Sequence, residues 1–174
     1  MSASRAANQA VRELFYRLGR EYDQYRGFNP FDHSNDTDIH VILGFFKYKC
    51  CYCRKKITAV LFDKDHLIPM NKKSGGLHSW GNVVPSCNSC NRDKNAKDWL
   101  SFISKMKIPS NQKESRIRRI KVFTERYKYN VDPSMSQGIS TIATNLYAEV
   151  SAYTTNQVGI AQDIAKLLFA KPDK

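Results

Sequence analysis

The chain has 174 residues, of which 41% are hydrophobic, and a formal net charge of +12. That hydrophobic content excludes a disordered chain, and the length suits one domain or a small catalytic module with helical additions. No apolar run approaches the roughly 20 residues that span a bilayer, and the N-terminus lacks the apolar core of a secretory signal. We therefore expect a cytoplasmic protein without membrane attachment.

The positive charge is concentrated in the middle of the chain. Residues 47–128 hold 20 basic and six acidic side chains, whereas the segments on either side are near neutral. A positive field concentrated in this way favours a polyanionic partner, and nucleic acid is the commonest one. A basic protein that is merely soluble is the alternative.

The first 48 residues contain one clear element. Apolar side chains recur every three or four residues across 4–25, which predicts a helix that Ser4 could cap and Gly27 could end. The turn-rich, acidic stretch 27–40 is interpreted as a connection. The apolar residues 40–48 then lead into the first cysteine pair.

Two short strands are expected next. Ile57–Asp63 is rich in β-branched and apolar residues, which is typical of a strand, and Val83–Cys87 resembles a second one. Together they predict a two-stranded ribbon. The segment 69–82 contains two adjacent glycines and two adjacent lysines and is expected to form the long loop between them.

The remainder of the chain is predicted to be helical. A helical pattern runs from about Asn88 until Pro109 stops it, and a second predicted helix covers Ser110–Tyr127. After a break, two further apolar stripes follow at 139–150 and 160–168. These near-neutral helices could cap the core or pair two copies of the chain.

Two cysteine pairs bracket the centre of the basic segment. Cys50 with Cys53, and Cys87 with Cys90, have the Cys-x2-Cys spacing with which four thiolates close a tetrahedron around zinc. Five cysteines in a cytosolic chain favour metal ligands over disulfides, and ordinary buried thiols are the alternative. The 33 residues between the pairs exceed the roughly 15–20 of a simple zinc ribbon, so they must hold a structure of their own.

Asp65 and His66 lie between the cysteine pairs, after the first predicted strand. Because adjacent side chains on a strand point to opposite faces, one can hold a metal while the other faces a water. Hydrolysis of a phosphodiester needs a base for that water and a cation for the leaving oxygen. His66 suits the first task, and Asp65 with Asn91 suits the second. A structural histidine is the alternative.

The order of these elements resembles the HNH nucleases of the ββα-metal fold. The matching elements are Cys50–Cys53, Asp65–Pro69, Gly75–Gly76 and Asn82–Lys94. The resemblance covers roughly residues 47–104, and it implies an α+β, mostly helical protein with a zinc-stapled core.

The resemblance divides the chain into three stretches. The expected division is an N-terminal helix and connecting loop in 1–46, the nuclease module in 47–108, and a helical region in 109–174. The last stretch would contact DNA, pair two protomers, or do both.

The resemblance also implies a role for each matching residue. His66 takes the place of the general base, and Asp65 and Asn91 take the places of the metal ligands, with asparagine as in the H-N-N variant. Asn82 would hold the loop and orient the base, and Lys94 would meet phosphate. The implied cofactors are a structural Zn²⁺ and a catalytic Mg²⁺ or Mn²⁺.

Further basic side chains in and after the module are expected to contact the DNA backbone. They are Lys72, Lys73, Arg92, Arg116, Arg118, Arg119 and Lys121. The last four belong to 105–128, which holds nine basic and two acidic side chains, and a merely solvated charged face is the alternative there. His78 could lie near phosphate or steady the loop, and a loop histidine without a role is the alternative.

The expected activity is hydrolysis of double-stranded DNA that leaves 5′-phosphate and 3′-hydroxyl ends. A sequence-specific restriction enzyme is favoured, and it would act as a homodimer because one site in each chain needs two chains to cut both strands. A homing, phage-borne or modification-dependent nuclease is an alternative. A non-catalytic, zinc-stabilised DNA-binding module is another.

Overall fold

The computed structural model describes residues 2–169, which are mostly helical with one two-stranded sheet. The elements are α1 (Ala3–Tyr25), α2 (Asp36–Phe45), β1 (Asp63–His66), β2 (Val83–Ser86), α3 (Asn88–Lys94), α4 (Trp99–Ser104), α5 (Ser110–Arg126) and α6 (Pro133–Phe169). The predicted class, mostly helical with a small sheet, is confirmed. No helix within 2–169 is long and apolar enough to cross a membrane.

The two long terminal helices pack against each other. Val11 and Phe15 of α1 are buried in one apolar cluster with Ile139 and Ala143 of α6. The helix predicted from residue 4 is confirmed, although the capping side chain is Ser2, which accepts a hydrogen bond from the N–H of Arg5.

The C-terminal helix differs from the prediction in its continuity. The stripes at 139–150 and 160–168 lie on one helix of 37 residues rather than on two separate helices. A polar residue between two stripes does not end a helix unless a breaker or a cap accompanies it. The side chains of Leu167 and Leu168 lie outside the described part of the structure.

The stretch 27–40 is not wholly a connection, and this prediction is wrong for its last five residues. Residues from Asp36 onward form α2, because Asn35 accepts a hydrogen bond from the N–H of Thr37 at 2.9 Å and caps the helix. The helix buries Ile42 and Leu43 in the larger apolar cluster, beside the cysteines.

The first strand begins later than predicted. Ile57–Phe62 is not a strand, and it leaves Val60 and Leu61 exposed at 89% and 76%. A β-branched segment forms a strand only where a partner strand pairs with it. The pairing starts at Asp63, and β1 runs antiparallel to β2 with His66 opposite Val83.

The helix predicted from Asn88 to Pro109 is divided in two. Asn95 ends α3 with a left-handed φ of 49°, a conformation that asparagine tolerates better than most residues. Asp98 then caps α4 by accepting a hydrogen bond from the N–H of Ser101 at 2.8 Å. The break separates α3, which faces the sheet, from α4, which packs on the core.

A buried ion pair ties the end of α1 to the centre of the chain. The guanidinium of Arg26 donates to the carboxylate of Asp23 and to the backbone carbonyls of Trp80 and Tyr127. The carboxylate of Asp23 also accepts a hydrogen bond from the hydroxyl of Ser79 at 2.7 Å. Both charged side chains are at most 4% exposed, so neither can be lost without leaving the other charge unpaired.

Replacing Asp23 with alanine is expected to lower the free energy of unfolding by about 3–5 kcal/mol, because the substitution leaves a buried arginine without its counter-ion. Urea denaturation measures this change. The matched control is Glu13→Ala, which removes an exposed ion pair with Arg17 from the same helix and should cost under about 1 kcal/mol. Equal losses in the two variants would show that the buried pair is not a stabilising contact.

Candidate active site and metal centre

Four cysteine sulfurs converge on one point. The Sγ atoms of Cys50, Cys53, Cys87 and Cys90 all lie within 4.8 Å of one another, and those of Cys53 and Cys87 are 3.6 Å apart. Zinc–sulfur bonds of about 2.3 Å in a tetrahedron place the sulfurs about 3.8 Å apart. The four cysteines are therefore positioned to bind a metal ion, and zinc fits them.

Local backbone structure brings the two cysteine pairs together. The first pair sits in a tight turn in which the N–H of Arg54 donates to the carbonyl of Cys50 at 3.0 Å. The N–H of Cys51 donates to the carbonyl of Pro85 at 2.9 Å, which joins this turn to β2. Cys87 occupies the N-cap position of α3, so Cys90 lies in the first turn of that helix.

Asp65 is buried and already has two partners. Its carboxylate accepts a hydrogen bond from the hydroxyl of Tyr52 at 2.5 Å and lies 3.2 Å from the ammonium of Lys94. Burial raises the pKa of Asp65, while the charge of Lys94 and the hydrogen bond from Tyr52 oppose that rise. The carboxylate therefore faces α3, on the side of β1 away from the His66 ring.

Lys94 is not available to DNA, and the prediction that it meets phosphate is wrong. The side chain is fully buried, and its ammonium donates to the carbonyl of His66 at 2.7 Å in addition to its contact with Asp65. Lys94 lies on the side of α3 that faces β1, and the carboxylate compensates the cost of burying its charge. The ammonium thus holds the strand end that carries the two candidate active-site residues.

Asn91 is paired with a carboxylate that the sequence analysis missed. Its side-chain amide donates to Asp63 at 3.2 Å, and Asn88 donates to the same oxygen at 3.3 Å. Among the described residues, the hydrogen bonds therefore join Asn91 to Asp63 rather than to Asp65. The sequence did contain a signal for Asp63, because it precedes Asp65 by two residues and residues two apart on a strand share a face.

His66 is half-buried and contacts a second histidine. Its Nε2 lies 3.1 Å from Nδ1 of His78. Burial, with the positive charges of Lys94 and Arg12 nearby, lowers the pKa of His66 to about 4. With such a pKa the imidazole is neutral at neutral pH, so one of its ring nitrogens is a donor and the other an acceptor.

His78 is placed by the N-terminal helix. The backbone of α1 approaches so closely that a Cβ on Gly19 would lie 2.1 Å from the carbonyl oxygen of His78. The His78 ring packs against Tyr16 and Phe31, with ring centroids 4.2 and 5.0 Å away. Within residues 2–169 the Nε2 of this ring has no hydrogen-bond partner, so the one hydrogen bond that the ring makes is to His66.

Asn82 closes the loop that follows His66. Its side chain accepts from the N–H of Ile68 at 2.8 Å and donates to the carbonyls of Ile68 and Leu77 at 3.1 and 2.8 Å. The side chain is fully buried. These bonds fix both ends of the loop, and the orienting effect on His66 stays a prediction.

The other basic side chains predicted to contact DNA differ in exposure. Lys73, Arg92, Arg118 and Lys121 are exposed, while Lys72 and Arg119 are half-buried and Arg116 is buried. The ammonium of Lys72 lies 3.2 Å from the ring centroid of Tyr147 on α6. The contacts of these side chains with DNA stay a prediction.

Residues 50–105 match the family model of the HNH endonucleases, about a third of the chain. This segment contains the cysteine cluster, β1, β2 and α3, and its match supports a metal-dependent nuclease class. The crystal structure of the type II-C Cas9 enzyme from Actinomyces naeslundii is similar at 24% identity, with a TM-score of 0.38. That similarity covers 80% of this chain but only 14% of the Cas9 chain. A comparison with curated protein sequences found no match.

Proposed function

We propose that this protein is a metal-dependent endonuclease that hydrolyses phosphodiester bonds of double-stranded DNA. The observation that carries the proposal is the pairing of the His66 and His78 rings, whose Nε2 and Nδ1 atoms are 3.1 Å apart, inside a segment similar to HNH endonucleases. Oxygen donors from β1 and α3 lie on the other side of the same strand. A base and a candidate cation site thus flank one strand end.

The donors between β1 and α3 suit a hard divalent cation. Asp63 and Asp65 share a face of β1, and the Asn91 amide is 3.2 Å from Asp63. Carboxylate and amide oxygens are the ligands that Mg²⁺ and Mn²⁺ prefer, and rotation of the amide by 180° presents the Asn91 oxygen instead of its nitrogen. When bound there, the cation supplies stabilisation of the negative charge that develops on the phosphate and the leaving 3′ oxygen. Asp63 joins Asp65 and Asn91 in the proposed ligand set.

His66 would accept the proton of the attacking water. If its Nε2–H donates to Nδ1 of His78, its own Nδ1 keeps the lone pair that takes the proton. Lys94, which donates to the His66 carbonyl, fixes the backbone from which the ring projects. Attack on phosphorus then releases the 3′ oxygen and leaves a 5′-phosphate.

Within this function we favour a sequence-specific restriction enzyme that acts as a homodimer. The far half of α6 supports a second copy, because it presents Tyr153, Val158, Ile160 and Ile164 to solvent at 68%, 44%, 46% and 50% exposure. The experiment is digestion of a plasmid of known sequence, followed by sequencing of the ends. Defined, repeated ends are expected, and ends scattered at random would overturn the restriction type.

A zinc-stabilised DNA-binding module without catalysis is the second candidate. The observation in its favour is that Lys94 and Tyr52 already satisfy the Asp65 carboxylate. Incubation of plasmid with the protein and Mg²⁺ or Mn²⁺ decides between the two. DNA binding without cleavage in either metal would support the module and contradict the nuclease.

His78 is expected to act as a positioning residue for His66. The substitution His78→Ala should lower kcat about 10- to 100-fold with little change in KM, because partners that orient a catalytic group contribute on that scale. The variant His78→Asn should recover part of the loss, since its side-chain oxygen can accept the hydrogen bond in place of Nδ1. Single-turnover plasmid cleavage measures both variants.

The matched control for His78 is its neighbour His33, whose ring lies 5.0 Å away and is exposed. The variant His33→Ala should cut at the rate of the parent. An equal loss in His78→Ala and His78→Asn, in proportion to a lowered Tm, would mean that His78 only packs the loop.

A further inference from the structure

Three arginines converge on a pocket that shares no residue with the site around His66. Arg54 follows the first cysteine pair, and Arg116 and Arg119 lie on one face of α5. The pocket has a volume of about 440 Å³. Its remaining lining residues are Cys51, Asn111, Gln112 and Ser115.

Arg116 has unused hydrogen-bond donors at this pocket. The residue is 8% exposed, and neither its Nε nor its Nη1 has a partner among residues 2–169. Its Nη2 donates to the side chain of Gln112 at 3.2 Å. Native proteins leave few buried donors unpaired, so these two N–H groups indicate a partner that the chain itself does not supply.

The positive charge of the pocket is not balanced. None of its lining residues is acidic, and none of the three arginines forms an ion pair with a carboxylate in the described part of the chain. Arg54 and Arg119 each donate to a backbone carbonyl, at 3.3 and 3.0 Å.

The start of α5 adds to this positive field. Pro109 at the N-cap position makes no side-chain hydrogen bond to the helix, and Asn111 and Gln112 of the first turn line the pocket. Uncapped N–H groups and the helix dipole make a helix start favourable for an anion.

We infer that this pocket binds a phosphate group of the DNA backbone at a distance from the phosphodiester that is cut. Guanidinium groups bind phosphate oxygens in pairs, and three of them offer more donors than a smaller anion could use. A second depression, lined by Phe45, Arg118 and Val122, shares Ser115 and Arg119 with the pocket and extends it along α5. An extended sugar-phosphate strand therefore fits this surface better than an isolated phosphate.

The thiolates of the zinc site are the other negative charge in the neighbourhood. A zinc ion with four thiolates carries a net charge of −2, and Arg54 follows Cys53 directly. However, the free donors of Arg116 contact no sulfur within residues 2–169. Charge compensation of the zinc site is therefore the alternative role for these arginines, and the experiment must distinguish it from phosphate binding.

The test is DNA affinity as a function of salt. It rests on the proposed DNA substrate, and it uses the His66→Ala background so that the duplex stays intact. Each phosphate neutralised contributes about −0.9 to the slope of log K against log salt concentration. The substitutions Arg116→Gln and Arg54→Gln should each reduce the slope by about one and weaken binding roughly tenfold or more.

The control for net charge is Arg17→Gln, which removes one exposed arginine of α1 and should leave the slope unchanged. Inorganic phosphate, compared with chloride at equal ionic strength, should raise the Tm of the parent and not that of Arg116→Gln. If Arg116→Gln does not fold, Arg54→Gln carries the test, because Arg54 is only half-buried.

Two results would overturn the inference. A Tm shift with phosphate but an unchanged DNA slope would assign the pocket to free phosphate or a nucleotide. Unchanged slopes with a loss of bound zinc in the arginine variants would assign the arginines to the thiolates. Failure of the proposed nuclease activity is a separate result, since it appears as absent cleavage by the parent whatever the salt slopes.

Discussion

Replacing His66 with alanine is expected to lower the rate of duplex DNA cleavage about 10²- to 10⁴-fold, the usual contribution of a general base. The substitution removes the ring nitrogen that would accept the proton of water, while the oxygen donors of β1 and α3 remain. DNA affinity should change little. Plasmid cleavage under single-turnover conditions with Mg²⁺ or Mn²⁺ measures the rate.

The matched control for His66 is His40→Ala. His40 is exposed on α2, and its ring nitrogen contacts only the hydroxyl of Tyr48, at 2.9 Å, among the described side chains. This variant should cleave at the parent rate. Cleavage by His66→Ala at the parent rate would show that another group activates the water.

Replacing Cys87 with serine is expected to release the zinc and to lower the free energy of unfolding by an amount on the order of 10 kcal/mol, the scale of small structural zinc sites. Cys87 begins α3, and its sulfur lies 3.6 Å from that of Cys53 in the other pair. Without it, the cysteine turn and the helix lose their covalent connection through the metal. Zinc content per chain and Tm measure the effect.

Cys51 provides the control for the zinc site. It is 2% exposed and adjacent to Cys50, but it is not one of the four clustered cysteines. Cys51→Ala should retain one zinc per chain and lose only the stability of a small packing contact. An unchanged zinc content and Tm in Cys87→Ser would refute the structural zinc site.

The parts of the fold that the sequence predicted well are those set by local patterns. Apolar periodicity identified α1 and α5, and the Cys-x2-Cys spacing identified four cysteines that the structure brings together. Such patterns reflect the geometry of a single helix or a single turn. They do not require knowledge of which segment lies opposite.

The errors arise where a distant partner decides the structure. Ile57–Phe62 has the composition of a strand, yet the pairing with β2 begins only at Asp63. Lys94 is a basic residue in a basic segment, which is typical of a DNA contact, yet it lies on the face of α3 that packs against Asp65. The first outcome depends on where β1 pairs with β2, and the second depends on how α3 lies against the sheet. No local pattern encodes either.

The candidate site was incomplete for the same reason. The sequence analysis did not connect His78 with His66, because their proximity depends on α1, which begins more than 70 residues before His78 in the sequence. Asp63 was taken as the end of a strand, whereas the hydrogen bond from Asn91 makes it a candidate ligand.

The close approach of α1 to the loop at Gly19 limits how far the segment similar to HNH endonucleases can be used apart from the rest of the chain. The segment similar to HNH endonucleases begins at residue 50, whereas the helix that fits against the His78 carbonyl ends at Tyr25. The segment with recognisable similarity is thus smaller than the part of the chain that shapes the candidate site. A grafted module of residues 50–105 would carry the four clustered cysteines, His66 and His78 into a new host, but it would leave behind the helix that packs against His78.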